Sequence, residues 1–269
     1  MVRGSFMVDF AFLDSGTGGI PYLLHLKEKC PSAKCLYIGD TANFPYGEKS
    51  HEEIVNCVLD CTAKIISKFK PKVIIIACNT MSVNALDVLR SVYPDQLFVG
   101  TVPAIKVAAE RSKNHCIGLM ATNSTVNHPY NQDLKNHFAA DCTMVTRGDP
   151  DLISFIEHKS FMAGQDEIEA ACKPSVDFFR NKGCDVIILG CTHFLNISDQ
   201  LKKAAAPDIQ IVDSREGVVN RALSIRGQIT PEKDITDTLY VTGFSNQKDQ
   251  KEYELICKKN NLLFGGILQ

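Results

Sequence analysis

The chain has 269 residues, 45% hydrophobic and 22% charged, with a net charge of −2 at neutral pH. This is ordinary globular composition with enough apolar content for a sizeable core, and the length allows one domain or two. The near-neutral balance excludes a strong global pull toward nucleic acid or an anionic membrane surface, and no apolar run approaches the roughly 18–20 residues that span a bilayer.

Asp9 and Asp14 interrupt the first apolar stretch, which argues against a signal peptide, and residues 1–5 read as a loose leader. Short β-branched runs then alternate with amphipathic stretches. In chain order they predict strand 8–13, helix 21–29, strand 35–39, helix 51–68, strand 73–77, helix 81–92, strand 97–102 and helix 105–111. Strand 116–120, helix 131–138, strand 144–146, helix 166–181, strand 186–190, helix 197–206, strand 209–212, helix 216–226, strand 239–241 and helix 250–260 follow. Such alternation predicts an α/β fold with mostly parallel sheets flanked by helices, and strands without polar alternation fit burial on both faces.

Two segments repeat one pattern. Lys72-Val-Ile-Ile-Ile-Ala-Cys78-Asn79-Thr80 is matched 113 residues later (191 − 78) by Asp185-Val-Ile-Ile-Leu-Gly-Cys191-Thr192-His193. The halves also start alike, Phe10-Ala-Phe-Leu-Asp14-Ser15-Gly16-Thr17 resembling Cys116-Ile-Gly-Leu-Met120-Ala121-Thr122-Asn123. The repeat predicts two pseudo-symmetric lobes, one from residues 1–102 and 213–269, the other from 103–212, with Pro103 marking the crossover.

In parallel α/β sheets ligands bind at the carboxyl ends of strands, and the reactive residues collect there. A duplicated strand-end thiol points to two acid/base groups facing one substrate from opposite sides, the requirement for inverting a carbon stereocentre. A cysteine that opens a helix meets free N–H groups and the positive end of the helix dipole, which favour thiolate. Asp14 is the candidate auxiliary for Cys78 and His193 for Cys191. Ser15, Asn79, Thr80, Thr122, Thr125 and Thr192 are candidate contacts for substrate carboxylates and ammonium.

Plainer readings stand beside these. Asp14 and His193 also suit helix capping, and Tyr46 is as fit for structure as for function. Gly16-Thr17-Gly18-Gly19 lacks the Lys-Ser/Thr ending of a P-loop and the spacing of a dinucleotide fingerprint. The eleven cysteines include no C-x2-C pair, so reduced intracellular thiols are expected rather than a zinc ribbon. Cys57 and Cys61 share a helix face, but a metal would need two further ligands. Cys30, Cys35, Cys116, Cys142, Cys172, Cys184 and Cys257 read as small hydrophobes.

Five motifs, spread in order over most of the chain, together resemble the cofactor-independent aspartate/glutamate racemase family, and its glutamate branch in particular. They are Leu13-Asp14-Ser15-Gly16-Thr17-Gly18-Gly19, Gly39-Asp40-Thr41, Pro45-Tyr46-Gly47, Ala77-Cys78-Asn79-Thr80 and Leu189-Gly190-Cys191-Thr192-His193. Val212-Asp213-Ser214 and Leu239-Tyr240-Val241-Thr242-Gly243 extend the likeness.

The resemblance implies two α/β lobes with the active site between them, and interconversion of L- and D-glutamate without pyridoxal phosphate or metal. It implies Cys78 and Cys191 as proton-transfer residues with Asp14 and His193 as auxiliaries, and Glu157 as a further carboxylate. Ser15, Tyr46, Gly47, Asn79, Thr80, Thr122, Thr125 and Thr192 become substrate contacts. A cytoplasmic bacterial homodimer supplying D-glutamate to peptidoglycan follows, with neither nucleic-acid nor membrane partners.

The chain departs from the family pattern in three places. Phe194-Leu195-Asn196 stands where the family commonly has Tyr-Pro-Leu, Ala121 and Ser124 stand where it usually has glycine, and 145–157 diverges. A racemase of another acidic amino acid, a one-cysteine decarboxylase or isomerase, and a non-catalytic glutamate-binding or regulatory protein remain alternatives. The retained thiol pair argues against a one-cysteine reaction.

Overall fold

The structure, a computed structural model, describes residues 8–227, 236–244 and 247–268. The leader read at 1–5 lies outside them. Contacts divide the chain into two units, one of residues up to Thr101 and from Arg215 onward, the other of Val102–Ser214.

The first unit runs β1 (Phe10–Asp14), α1 (Ile20–Lys29), β2 (Cys35–Gly39), α2 (His51–Phe69), β3 (Val73–Ile76), α3 (Asn79–Val92) and β4 (Leu97–Gly100). The second runs α4 (Ile105–Arg111), β5 (Cys116–Ala121), α5 (Asn123–Val126), α6 (Pro129–Phe138), β6 (Thr143–Gly148), α7 (Pro150–His158), α8 (Gln165–Asn181), β7 (Val186–Leu189), α9 (Ser198–Ala205) and β8 (Gln210–Val212). The chain returns to the first unit through α10 (Arg215–Ile225), β9 (Thr238–Val241), α11 (Gln247–Lys259) and β10 (Leu263–Ile267).

Both sheets are parallel throughout. The first has the order β10-β9-β2-β1-β3-β4 and the second β6-β5-β7-β8. Without β9 and β10 the two orders are the same, so the repeat seen around the cysteines is a repeat of topology. In each sheet the first strand of the unit lies between the second and the third, and the strand order therefore reverses there. That reversal opens a crevice at the carboxyl ends of β1 and β3, and of β5 and β7.

The register corrects the expected alignment of the two halves by one residue. Val73 of β3 pairs with Phe10, while Val186 of β7 pairs with Ile117 rather than Cys116. With the cysteines superposed, Asp14 is thus the counterpart of Ala121, and Ser15 of Thr122. The hydroxyl is kept in both units and the acid is not.

Local chemistry explains the element ends. Ser50 and Glu53 form a reciprocal capping box at the start of α2. Ile54, Val58, Cys61, Ile65 and Phe69 of that helix recur at helical spacing and are buried in the first core cluster with Leu13, Ile74 and Ile76. Each fully buried Ile or Val contributes about 1.5–3 kcal/mol. The second core gathers Ile117, Leu119, Val186 and Ile188 against Ile105 and Ala108 of α4.

Three elements were not foreseen: the single-turn helix α5, the helix α7 and the strand β10. The helix α7 starts at Asp149-Pro150, where the Asp149 carboxylate accepts from Leu152 N and Pro150 occupies the first turn. The edge strand β10 is masked in the sequence by Gly265-Gly266. A side chain at Gly265 would meet the Tyr240 ring at 2.5 Å, so the strand keeps glycine where that ring packs.

Candidate active site

In the first unit the crevice is organised around Asp14. This carboxylate is completely buried, accepting at one oxygen from Ser15 N (2.7 Å) and at the other from Gly19 N (2.5 Å) and the Tyr37 hydroxyl (3.0 Å). Tyr37 also approaches Gly16 O at 2.9 Å and stands 3.0 Å from Gly19 N. Asp14 therefore folds its own turn. That turn brings the Ser15 hydroxyl within 3.8 Å of the Cys78 sulfur.

Cys78 follows β3 and is the N-cap of α3 in extended conformation, with its side chain making no cap bond. The thiol accordingly sits at the end of the helix where N–H groups are in excess, an environment that favours thiolate. Asn79 and Thr80 form the first turn of that helix and are buried. The Nδ2 of Asn79 is buried with no hydrogen-bond partner, a donor left unmet beside the thiol.

Tyr46 and Gly47 lie in a 3-10 turn, Tyr46–Glu48. The Tyr46 hydroxyl is given to the buried Asp40 carboxylate, and burial, then the Asp40 charge, push its ionisation far up. Asp40 also accepts from Asn43 (3.0 Å) and from the Thr242 hydroxyl (2.6 Å), which ties the loop to the end of β9. Burial, then Asp40, likewise push the Cys61 thiol up.

In the second unit Cys191 follows β7 and opens a 3-10 helix, Thr192–Ile197, which leads into α9. Side chains also surround this sulfur. The His193 Nδ1 stands 3.5 Å from Cys191 Sγ, and its Nε2 stands 2.9 Å from Glu157 Oε2. His193 and Glu157 are each only 3% exposed at the side chain. Burial pulls the His193 pKa down, but hydrogen bonds to Cys191 and Glu157, followed by their charges, outweigh it and hold the pKa well above the usual imidazole value.

Glu157 arrives on α7, the helix of the divergent stretch. Thr122 caps α5, accepting from Thr125 N at 3.0 Å, and its hydroxyl meets that of Thr125 at 3.0 Å. Thr192 is buried beside Cys191.

The two units thus bring two separate sets together. Asp14, Ser15, Cys78, Asn79 and Thr80 gather around the β1/β3 crevice. Cys191, His193 and Glu157 form a bonded line at the end of β7, while Thr122 and Thr125 follow β5.

A family model for Asp/Glu/Hydantoin racemase matches residues 24–222. The chain belongs to that family. A glutamate racemase of Treponema pallidum is 36% identical over 261 residues, covering 96% of each chain. A glutamate racemase of Sphingopyxis alaskensis is 36% identical over 225 residues, covering 82% of this chain and 83% of that protein. The crystal structure of Escherichia coli glutamate racemase, in complex with L-glutamate and an activator, UDP-MurNAc-Ala, superposes with a TM-score of 0.84 at 26% identity, covering 97% of this chain and 98% of that one.

Of the departures noted in the sequence, three lie in the core and two, Ser124 and Asn196, do not. Phe194, Leu195 and Ala121 are all core residues. Tyr37 and Thr242 went unnoticed in the sequence as parts of the site. Tyr37 is one of five buried residues in β2, and only strand register aims it at Asp14. Thr242 reaches Asp40 across 202 positions of sequence. Among the described residues, one group of metal-ligand type, His115, Asp141 and Cys142, lies at the other end of β5 and β6 from these crevices. No helix among the described residues is long and apolar enough to cross a membrane.

Proposed function

We propose that the protein interconverts L- and D-glutamate by a two-base mechanism. Cys78 works on one face of the α-carbon and Cys191 on the other. In one direction a thiolate removes the α-proton and the opposite thiol supplies a proton to the resulting carbanion. In the other direction the two sulfurs exchange roles, and the proton count is unchanged. The observation that carries this reading is the line Cys191–His193–Glu157. An imidazolium held between a carboxylate and a sulfur stabilises that sulfur as thiolate and hands a proton back when it returns as thiol.

Cys78 has a different supporting cast: a helix N-terminus, the Ser15 hydroxyl and the turn built by Asp14. The unpaired Asn79 amide is a donor for a substrate carboxylate. D-glutamate made in this way would serve peptidoglycan synthesis in a bacterial cytoplasm, with a homodimer as the working form.

The test is incubation with L-glutamate in deuterated water without added cofactor, following optical rotation and α-deuterium together. D-glutamate carrying α-deuterium is expected. Folded, reduced protein that acts on L-aspartate but not L-glutamate would move the reading to another acidic amino acid. Failure on both would leave a binding role.

A further inference from the structure

A second pair of thiols lies at the opposite ends of the strands that carry the second-unit site. Cys116 is the first residue of β5, and Cys184 precedes β7 by two residues. Their sulfurs are 3.7 Å apart, in van der Waals contact, and both are free. The backbone fixes this approach. The helix α8 ends in a left-handed turn at Gly183 (φ 76°), where Cys184 N bonds back to Phe179 O at 3.1 Å. Asp185 N then bonds to Cys116 O at 3.1 Å, locking the next residue onto β5.

Asp185, not Cys184, is the ladder neighbour of Cys116, so Cys184 brings its sulfur to Cys116 from the turn at Gly183, outside β7 and its alternation of faces. To bond, the sulfurs must close from 3.7 Å to about 2.05 Å. Cys116 is half-buried and reachable, while Cys184 is buried.

We infer that Cys116 and Cys184 are a redox modification site, closing to a reversible intramolecular disulfide at the expense of a low-molecular-weight disulfide such as oxidised glutathione. The Cys116 thiolate attacks one glutathione sulfur. The glutathione S–S bond breaks, a Cys116–glutathione disulfide forms and one glutathione thiolate leaves. Cys184 then gives up its proton and attacks Cys116 Sγ, expelling the second glutathione. Two protein thiols are oxidised, one glutathione disulfide is reduced to two thiols, and both protein protons end on those thiols.

Burial, then the neighbouring Cys116, push the Cys184 thiol up to about 12, so the second step is the slow one. The bridge joins β5 to β7 at their amino ends, and β5 rises roughly 17–20 Å before its carboxyl end. Cys191, at the far end of β7, is untouched by it. The inference does not depend on the racemase reading, since its primary readout is covalent.

Incubation of the reduced full-length protein with oxidised glutathione, followed by alkylation and intact and peptide mass spectrometry, tests it. The expected product has lost two hydrogens, joins the Cys116 peptide to the Cys184 peptide and reverts with dithiothreitol. Cys116→Ser and Cys184→Ser each abolish that link while leaving glutamate turnover of the reduced protein within twofold of the parent. Glutathione retained on Cys116 with no cross-link, a bridge between other cysteines, or both thiols still open to alkylation would overturn the inference.

Discussion

The His193 Nε2 lies 2.9 Å from Glu157 Oε2, both side chains buried, while the other ring nitrogen faces the Cys191 sulfur. The two neighbours keep the imidazole charged at pH values where a free histidine has lost its proton. Its pKa is raised above the unfolded value of about 6.5, so the associated stability is fully present below that pH and is lost as pH rises through the folded value. Glu157→Gln removes the charge and lowers the folded pKa. Its stability should be about 1.5–3 kcal/mol lower near neutral pH, with the alkaline decline beginning earlier. Denaturant unfolding from pH 6 to 10 reads both quantities, and superimposable profiles would refute the coupling.

The same variant should slow proton transfer by roughly 10²-fold, the low end for losing a general acid–base group. Asp14→Asn and His193→Gln should each slow the two directions of racemisation unequally, because each supports one sulfur. The kcat values from saturating L- and saturating D-glutamate measure this, since kcat/KM stays equal for two enantiomers. Equal slowing of both directions would reduce either residue to a structural support.

Cys78→Ala and Cys191→Ala should each abolish net racemisation while leaving the fold intact, because each truncates a side chain at a strand end rather than in the middle of a sheet. Circular dichroism and the deuterium assay together decide. Full racemisation by either variant would eliminate the two-base mechanism.

Gly19→Ala tests the floor of the β1/β3 crevice. An added Cβ would stand 2.8 Å from both Ala77 Cβ and Ala77 O and 3.1 Å from Asp14 Oδ2. Backbone and a packed carboxylate leave little room to give, so a loss of about 1–3 kcal/mol is expected, with activity falling as the turn shifts relative to Cys78. Thermal unfolding and turnover of the variant check the two effects. An unchanged midpoint and rate would show that the turn yields freely.

Thr242→Val removes the hydroxyl that donates to Asp40 at 2.6 Å and accepts from Ala42 N at 3.0 Å. Leaving a buried carboxylate one donor short costs about 1–3 kcal/mol. The loop carrying Tyr46 and Gly47 should loosen, which amide exchange across 40–48 would register. Protection equal to the parent's would mean that Asn43 and Tyr46 hold Asp40 unaided.

Periodicity alone was enough for the α/β alternation, because buried parallel strands and amphipathic helices each impose their own pattern on contiguous residues. The cysteine repeat was legible for the same reason: a strand and the residues that leave it are local. The sequence also carried the start of α7, in the capping pair Asp149-Pro150.

What the sequence could not contain was register and long-range pairing. A one-residue shift of β5 against β7 decides that Ala121, not Met120, stands where Asp14 stands in the first unit. The second thiol therefore draws its carboxylate from a separate helix, through His193, across 36 positions. Tyr37, Thr242 and the Cys116–Cys184 contact depend on the same cause. Which side chains meet across neighbouring strands is set by the hydrogen-bond ladder and the packing of the helices above it, and these exist only once the chain has folded.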